Sequence, residues 1–184
     1  MEAKVLNAED CTLLIIDIQE KLLNAVFNKD ELSKKAEIIT KSSKILNIPM
    51  FVTEQYPAGL GETASQLKHL FDNSTRIFEK TDFNAFNDNK IYEEFSKIKH
   101  KHVLICGIET HICVFQTAEF LISEGYAVTI IADACGSRNE NEYRCGLKNL
   151  ENLGAEIKTT EMIVFELLKT AKHPDFKEIQ SYIK

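Results

Sequence analysis

Runs of five or six apolar residues recur between stretches of helical periodicity along the whole chain, and few architectures accommodate that rhythm. It is the pattern of repeated βα units, which line strands up in a parallel sheet between helices. Strands are predicted at Thr12 to Asp17, Pro49 to Glu54, Arg76 to Glu79, His102 to Cys106, Ala127 to Ala132 and Ala155 to Thr159. A helix is predicted over Glu31 to Leu46, where Leu32, Ala36, Ile39 and Leu46 share one face, and a shorter one around Ile91, Phe95 and Ile98. Thr110 to Ser123 forms a third, stopped by Gly125, and Glu140 to Asn152 a fourth, followed by Gly154. Glu161 to Lys169 and Asp175 to Ile183 read as helices on either side of Pro174. The second of these is a candidate contact surface, with Phe176, Ile179 and Ile183 on one face, or else an amphipathic helix packed on its own domain.

No linker composition interrupts the series, so residues 1–184 are read as a single domain. Acidic residues outnumber basic ones by 28 to 22, which leaves no general field to attract phosphate backbones or anionic membranes. Neither a nucleic-acid nor a membrane partner is expected. No apolar run approaches the roughly 20 residues that cross a bilayer, and Met1 to Asp10 carries acids where a leader would be basic, so the expected location is cytoplasmic. Five cysteines, none spaced C-x-x-C, suggest reduced thiols in place of a disulfide framework or zinc cage.

Three residues at the predicted carboxyl edge of the sheet carry chemistry. Asp17 closes an apolar run just as the chain becomes exposed, where a base is well placed; a cap for a helix beginning near Gln19 is the structural alternative. Lys80 ends the third strand, where an ordinary solvated ammonium is the alternative. Cys113 falls in the first turn of the helix after the fourth strand, where the positive end of the helix dipole is expected to lower its thiol pKa, with Lys80 adding to the effect. Cys11 and Cys106 read as small buried hydrophobes, while Cys135 and Cys145 receive no role. With Thr110 as N-cap, the Cys113 N–H has no intrahelical acceptor: either the Thr110 hydroxyl caps it, or it serves together with the Glu109 N–H as an oxyanion hole. The histidines suggest no metal site, since the one H-x-H pair, His100 and His102, lies on the amino side of its strand; His111 is near enough for a Cys-His pair with Cys113, which helical spacing disfavours by turning the two side chains to different faces.

Taken together, Leu14-Ile15-Ile16-Asp17-Ile18-Gln19, Thr53-Glu54-Gln55-Tyr56-Pro57, Glu79-Lys80, Phe83-Asn84-Ala85-Phe86, Gly107-Ile108-Glu109-Thr110-His111-Ile112-Cys113-Val114 and Asp133-Ala134-Cys135-Gly136-Ser137-Arg138 resemble the isochorismatase-like cysteine hydrolases over nearly the whole chain. The Thr-Glu-Gln-x-Pro segment is similar to the isochorismatase domain-containing protein branch. The resemblance implies an α/β, three-layer fold with a six-stranded, mainly parallel sheet and helices on both faces. It further implies an Asp17, Lys80 and Cys113 triad, a cis peptide between Ile108 and Glu109, and homo-oligomers. Asp17 would take the thiol proton, Lys80 would stabilise the thiolate, and Cys113 would attack a carbonyl carbon to form a thioester. Nicotinamidases of the family carry an Asp-x-His metal element where this chain reads Thr53-Glu54-Gln55, so no metal or cofactor is expected. Gln19, Gln55, Tyr56, Phe83 and Phe86 are the candidates to line a small-molecule pocket. The expected reaction is hydrolysis of an amide or related C–N bond. Vinyl-ether or ester hydrolysis, and a non-enzymatic thiol redox or partner-binding role, are the alternatives.

Overall fold

The computed structural model describes residues 5–183; the start of the amino-terminal stretch, Met1 to Lys4, and the last residue, Lys184, lie outside the described residues. Six strands form one sheet: β1 (Cys11–Ile16), β2 (Met50–Gln55), β3 (Arg76–Lys80), β4 (His102–Ile108), β5 (Ala127–Gly136) and β6 (Glu156–Lys158). Their order is β3-β2-β1-β4-β5-β6, and every pairing is parallel. The chain thus starts in the middle of the sheet, builds one half outward, and returns to build the other. Ligands of such sheets bind outside the carboxyl ends of the strands, where the strand order reverses.

The helices that cover the sheet are α1 (Glu20–Leu23), α2 (Lys29–Ile45), α3 (Pro57–Leu60), α4 (Ser65–Lys68), α5 (Asn89–Ser96), α6 (Phe115–Ser123), α7 (Glu140–Asn152), α8 (Thr160–Leu168) and α9 (Phe176–Ile183). Every residue of β1 is buried, and successive side chains enter opposite cores. Leu13 and Ile15 pack with Leu32, Ala36 and Ile39 of α2, with Ile163, Val164 and Leu167 of α8, and with Ile179 of α9. Leu14 and Ile16 face Ile91 and Phe95 of α5, Ala118 and Leu121 of α6, and Leu150 of α7. The fold is therefore three-layered, with helices on both faces.

Two differences from the sequence reading have local causes, and one alternative that it left open is decided. Asp17 is not the last strand residue: its φ of 52° turns the chain out of β1, although its N–H still donates to the Thr53 carbonyl at 3.1 Å. The fifth strand runs four residues past Ala132, because β5 steps from Ile130 to Cys135 while β4 steps only from Ile105 to Gly107. Asp133, a charged residue just past the predicted end of the strand, sits in this bulge and accepts from Thr160 N–H at 2.7 Å and Thr160 Oγ1 at 2.8 Å. The apolar face of α9 is spent on its own domain: Ile179 is fully buried, and Phe176 and Ile183 pack on the same core.

Candidate active site

Strand register brings the chemistry together. Ile16 pairs with Thr53 and Gln55 with Lys80, so the ends of β1, β2 and β3 lie side by side with Asp17 just beyond them. Gly107 of β4 faces Ile16 so closely that a Cβ there would stand 2.2 Å from the Ile16 carbonyl oxygen, and its φ is 147°. Only glycine serves at such a position. The chain then passes a cis Ile108–Glu109 peptide and enters a π-turn, Thr110–Val114, ahead of α6. Such turns recur at functional sites.

Asp17 is completely buried, and both of its oxygens are engaged. Oδ2 accepts from Lys80 Nζ at 2.6 Å, and Oδ1 from Thr53 Oγ1 at 2.7 Å. The Cys113 sulfur lies within electrostatic reach of Asp17, Lys80 and the Glu109 backbone N–H. Cys113 is 7% exposed, whereas the side chains of Asp17 and Lys80 are fully buried. Asp17, Lys80 and Cys113, far apart in the chain, are thus mutual neighbours.

The sequence reading expects a lowered thiol pKa at Cys113; the structure reverses the sign. Burial pushes the thiol up to about 12 and the Asp17 carboxylate adds to the rise, against smaller opposing effects of Lys80 and the Glu109 N–H. Desolvation wins because it acts on the sulfur itself, whereas a helix end contributes only about half a charge. Thr110 does not cap the turn. Glu109 occupies that position, and the Thr110 hydroxyl donates to the Gly136 carbonyl at 3.0 Å.

Three consecutive residues, Glu109 to His111, are tied to three consecutive residues at and just past the end of β5. Arg138 Nε donates to Glu109 Oε1 at 2.8 Å, Thr110 reaches Gly136, and His111 Nδ1 lies 3.0 Å from Ser137 Oγ. His111 therefore faces Ser137 and not the sulfur.

The proposed pocket residues divide. Gln19 is fully buried, and its side chain bridges Gln55 N at 2.7 Å, Gln55 O at 3.0 Å and Gly61 O at 2.5 Å. Gln55 uses its Oε1 on Lys80 at 2.6 Å. Tyr56 and Phe83 are 57% and 54% exposed, and Tyr56 lines a surface cavity of about 350 Å³ bordered by Pro57, Glu79, Lys80 and Asp88. Phe86 is buried against Phe95, Tyr92 and Phe120 within the same core as Cys113. Among the described residues, no group of three or more His, Cys, Asp or Glu is gathered as a metal site. Cys11, Cys106 and Cys135 are buried free thiols, and Cys145 is exposed. Thr53, the second partner of Asp17, is a residue to which sequence reasoning gives no role; its signal is its position two residues before Gln55, on the same face of β2.

The chain matches the Isochorismatase domain over residues 11–162. It is 38% identical over 174 residues to Isochorismatase family protein 1A of Dictyostelium discoideum, covering 91% of this chain and 82% of that one. It is 35% identical over 177 residues to Isochorismatase domain-containing protein 2 of Rattus norvegicus, covering 96% and 82%. The solved structure of MAR1 ribonuclease from Caenorhabditis elegans superposes with a TM-score of 0.92 at 34% identity, covering 98% of this chain and 92% of that one. By sequence and by fold, the chain belongs to the isochorismatase domain family.

Proposed function

We propose that the protein hydrolyses a small-molecule amide or related C–N bond through a thioester on Cys113. The observation that carries this reading is one buried carboxylate, Asp17, that holds the Lys80 ammonium at 2.6 Å and lies within electrostatic reach of the Cys113 thiol. A thiol held near 12 stays protonated until substrate arrives, so proton loss to Asp17 accompanies attack of the sulfur on the carbonyl carbon. The oxyanion that forms is met by the N–H groups of Glu109 and Cys113. Collapse of the tetrahedral adduct breaks the C–N bond as protonated Asp17 returns its proton to the leaving nitrogen. Water, deprotonated by Asp17, then attacks the thioester; the acid leaves and the thiol is restored.

The reading is tested by exposing the intact chain to a panel of primary and secondary amides and recording whole-protein mass. An acyl adduct on Cys113 that is absent from Cys113→Ala supports it; full turnover by Cys113→Ala rejects it. The ribonuclease name of the C. elegans relative supplies a second reading, phosphodiester cleavage, and RNA belongs in the same panel. The net charge of -6 favours the acyl reading. The family resemblance also implies self-association, which sedimentation velocity on the intact chain reads.

A further inference from the structure

An ammonium has three protons to give, and Lys80 gives all three inside the protein. They go to Asp17 Oδ2 at 2.6 Å, Gln55 Oε1 at 2.6 Å and the Asp82 carbonyl at 3.1 Å. None remains to grip a substrate carboxylate, so the cation acts only through its neighbours. Among the described residues, Gln55 is the one side chain besides Asp17 that accepts from it, and Gln55 is itself held from both ends. Its Nε2 donates to the Thr81 carbonyl at 2.6 Å, its backbone N–H to Gln19 Oε1 at 2.7 Å, and its carbonyl accepts from Gln19 Nε2 at 3.0 Å. An amide fixed in this way presents Oε1 to Lys80 in one orientation.

We infer that Gln55 is a positioning residue: it holds the Lys80 ammonium against Asp17 and so governs how readily Cys113 gives up its proton. This rests on the Asp17, Lys80 and Cys113 reading above. The charged groups that act on the sulfur are Asp17, beyond β1, and Lys80, on β3. Removing Oε1 leaves one proton of a buried ammonium without an acceptor, which disfavours the charged form. The cation is then held less firmly against Asp17, and the thiolate loses part of its support.

The test is alkylation of the intact chain by iodoacetamide between about pH 7 and pH 10, with Cys113 followed by peptide mass. Gln55→Met is expected to alkylate about tenfold more slowly than the native chain near pH 9, the effect of one pKa unit. Lys80→Met is expected to fall at least as far. A purely structural glutamine would lower the melting temperature without moving this profile. A Gln55→Met profile that superimposes on the native one overturns the inference. The Lys80→Met profile then separates the failures: if it has shifted, only the role of Gln55 falls, and if it too is unmoved, the triad reading falls with it. Should Gln55→Met not fold, Gln55→Asn takes its place: one methylene short of the ammonium, it is expected to slow alkylation in the same way, and a native profile from it overturns the inference equally.

Discussion

The Lys80 ammonium stands 2.6 Å from the Asp17 carboxylate with neither side chain exposed to solvent. Burial of a lone charge is costly, and burial of a matched pair far less so. Lys80→Met is therefore expected to destabilise the fold by about 3 to 5 kcal/mol, because Asp17 is left uncompensated. The double variant Asp17→Asn with Lys80→Met removes both charges and is expected to recover part of that loss. Urea unfolding of the two singles and the double reads the coupling, and strict additivity would reject it.

Thr53 donates to the Asp17 oxygen that Lys80 does not touch. Thr53→Val keeps the shape and strands that oxygen, at a cost of about 1 to 3 kcal/mol. Thr53→Ser retains the hydroxyl and is expected to unfold close to the native midpoint in guanidinium. Equal losses in both variants would show that the methyl group matters and the hydrogen bond does not.

Burial raises the thiols of Cys11 to about 11 and of Cys113 and Cys135 to about 12, from 9.0, and holds Cys106 well above that value. The unfolded chain thus loses these protons first as pH rises. Their contribution is fully present below about pH 9 and declines toward the folded values, by about 1.4 kcal/mol per thiol and pH unit. Unfolding midpoints should fall steeply between about pH 9 and pH 11, and Cys135→Ala should flatten the slope by one proton's worth. A stability independent of pH in that range would contradict the burial of these thiols.

Gly146 brings α7 onto the turn that carries Cys113. A Cβ there would lie 3.0 Å from the His111 nitrogen and 3.1 Å from the Thr110 carbonyl carbon, both backbone atoms. Gly146→Ala is expected to cost about 1 to 3 kcal/mol by overpacking and to change the alkylation rate of Cys113 as the turn shifts. A melting curve and a labelling rate both equal to native would show that the interface yields without moving the sulfur.

Much of this protein is legible in its order of residues. Leu13 and Ile15 enter one core and Leu14 and Ile16 the other, which marks a strand covered on both faces, and the α/β architecture follows from strands alternating with helices along the chain. The positions of Asp17, Lys80 and Cys113 at strand ends and a helix start are legible for the same reason, since periodicity locates where elements stop. The end of β5 is not: Asp133, a charged residue just past the predicted end, finds its hydrogen-bond donors in Thr160, 27 residues on.

What the sequence determined by itself, then, is the layering of the fold and the edge to which its reactive side chains are delivered, because local hydrophobic rhythm encodes both. Only the tertiary structure decided that the Cys113 thiol is held protonated, that Thr53 completes the shell of Asp17, and that Gln19 and Gln55 spend their amides inside the protein. Those outcomes depend on desolvation and on separations of a few ångströms between residues tens of positions apart, and neither quantity is written in the spacing of the chain.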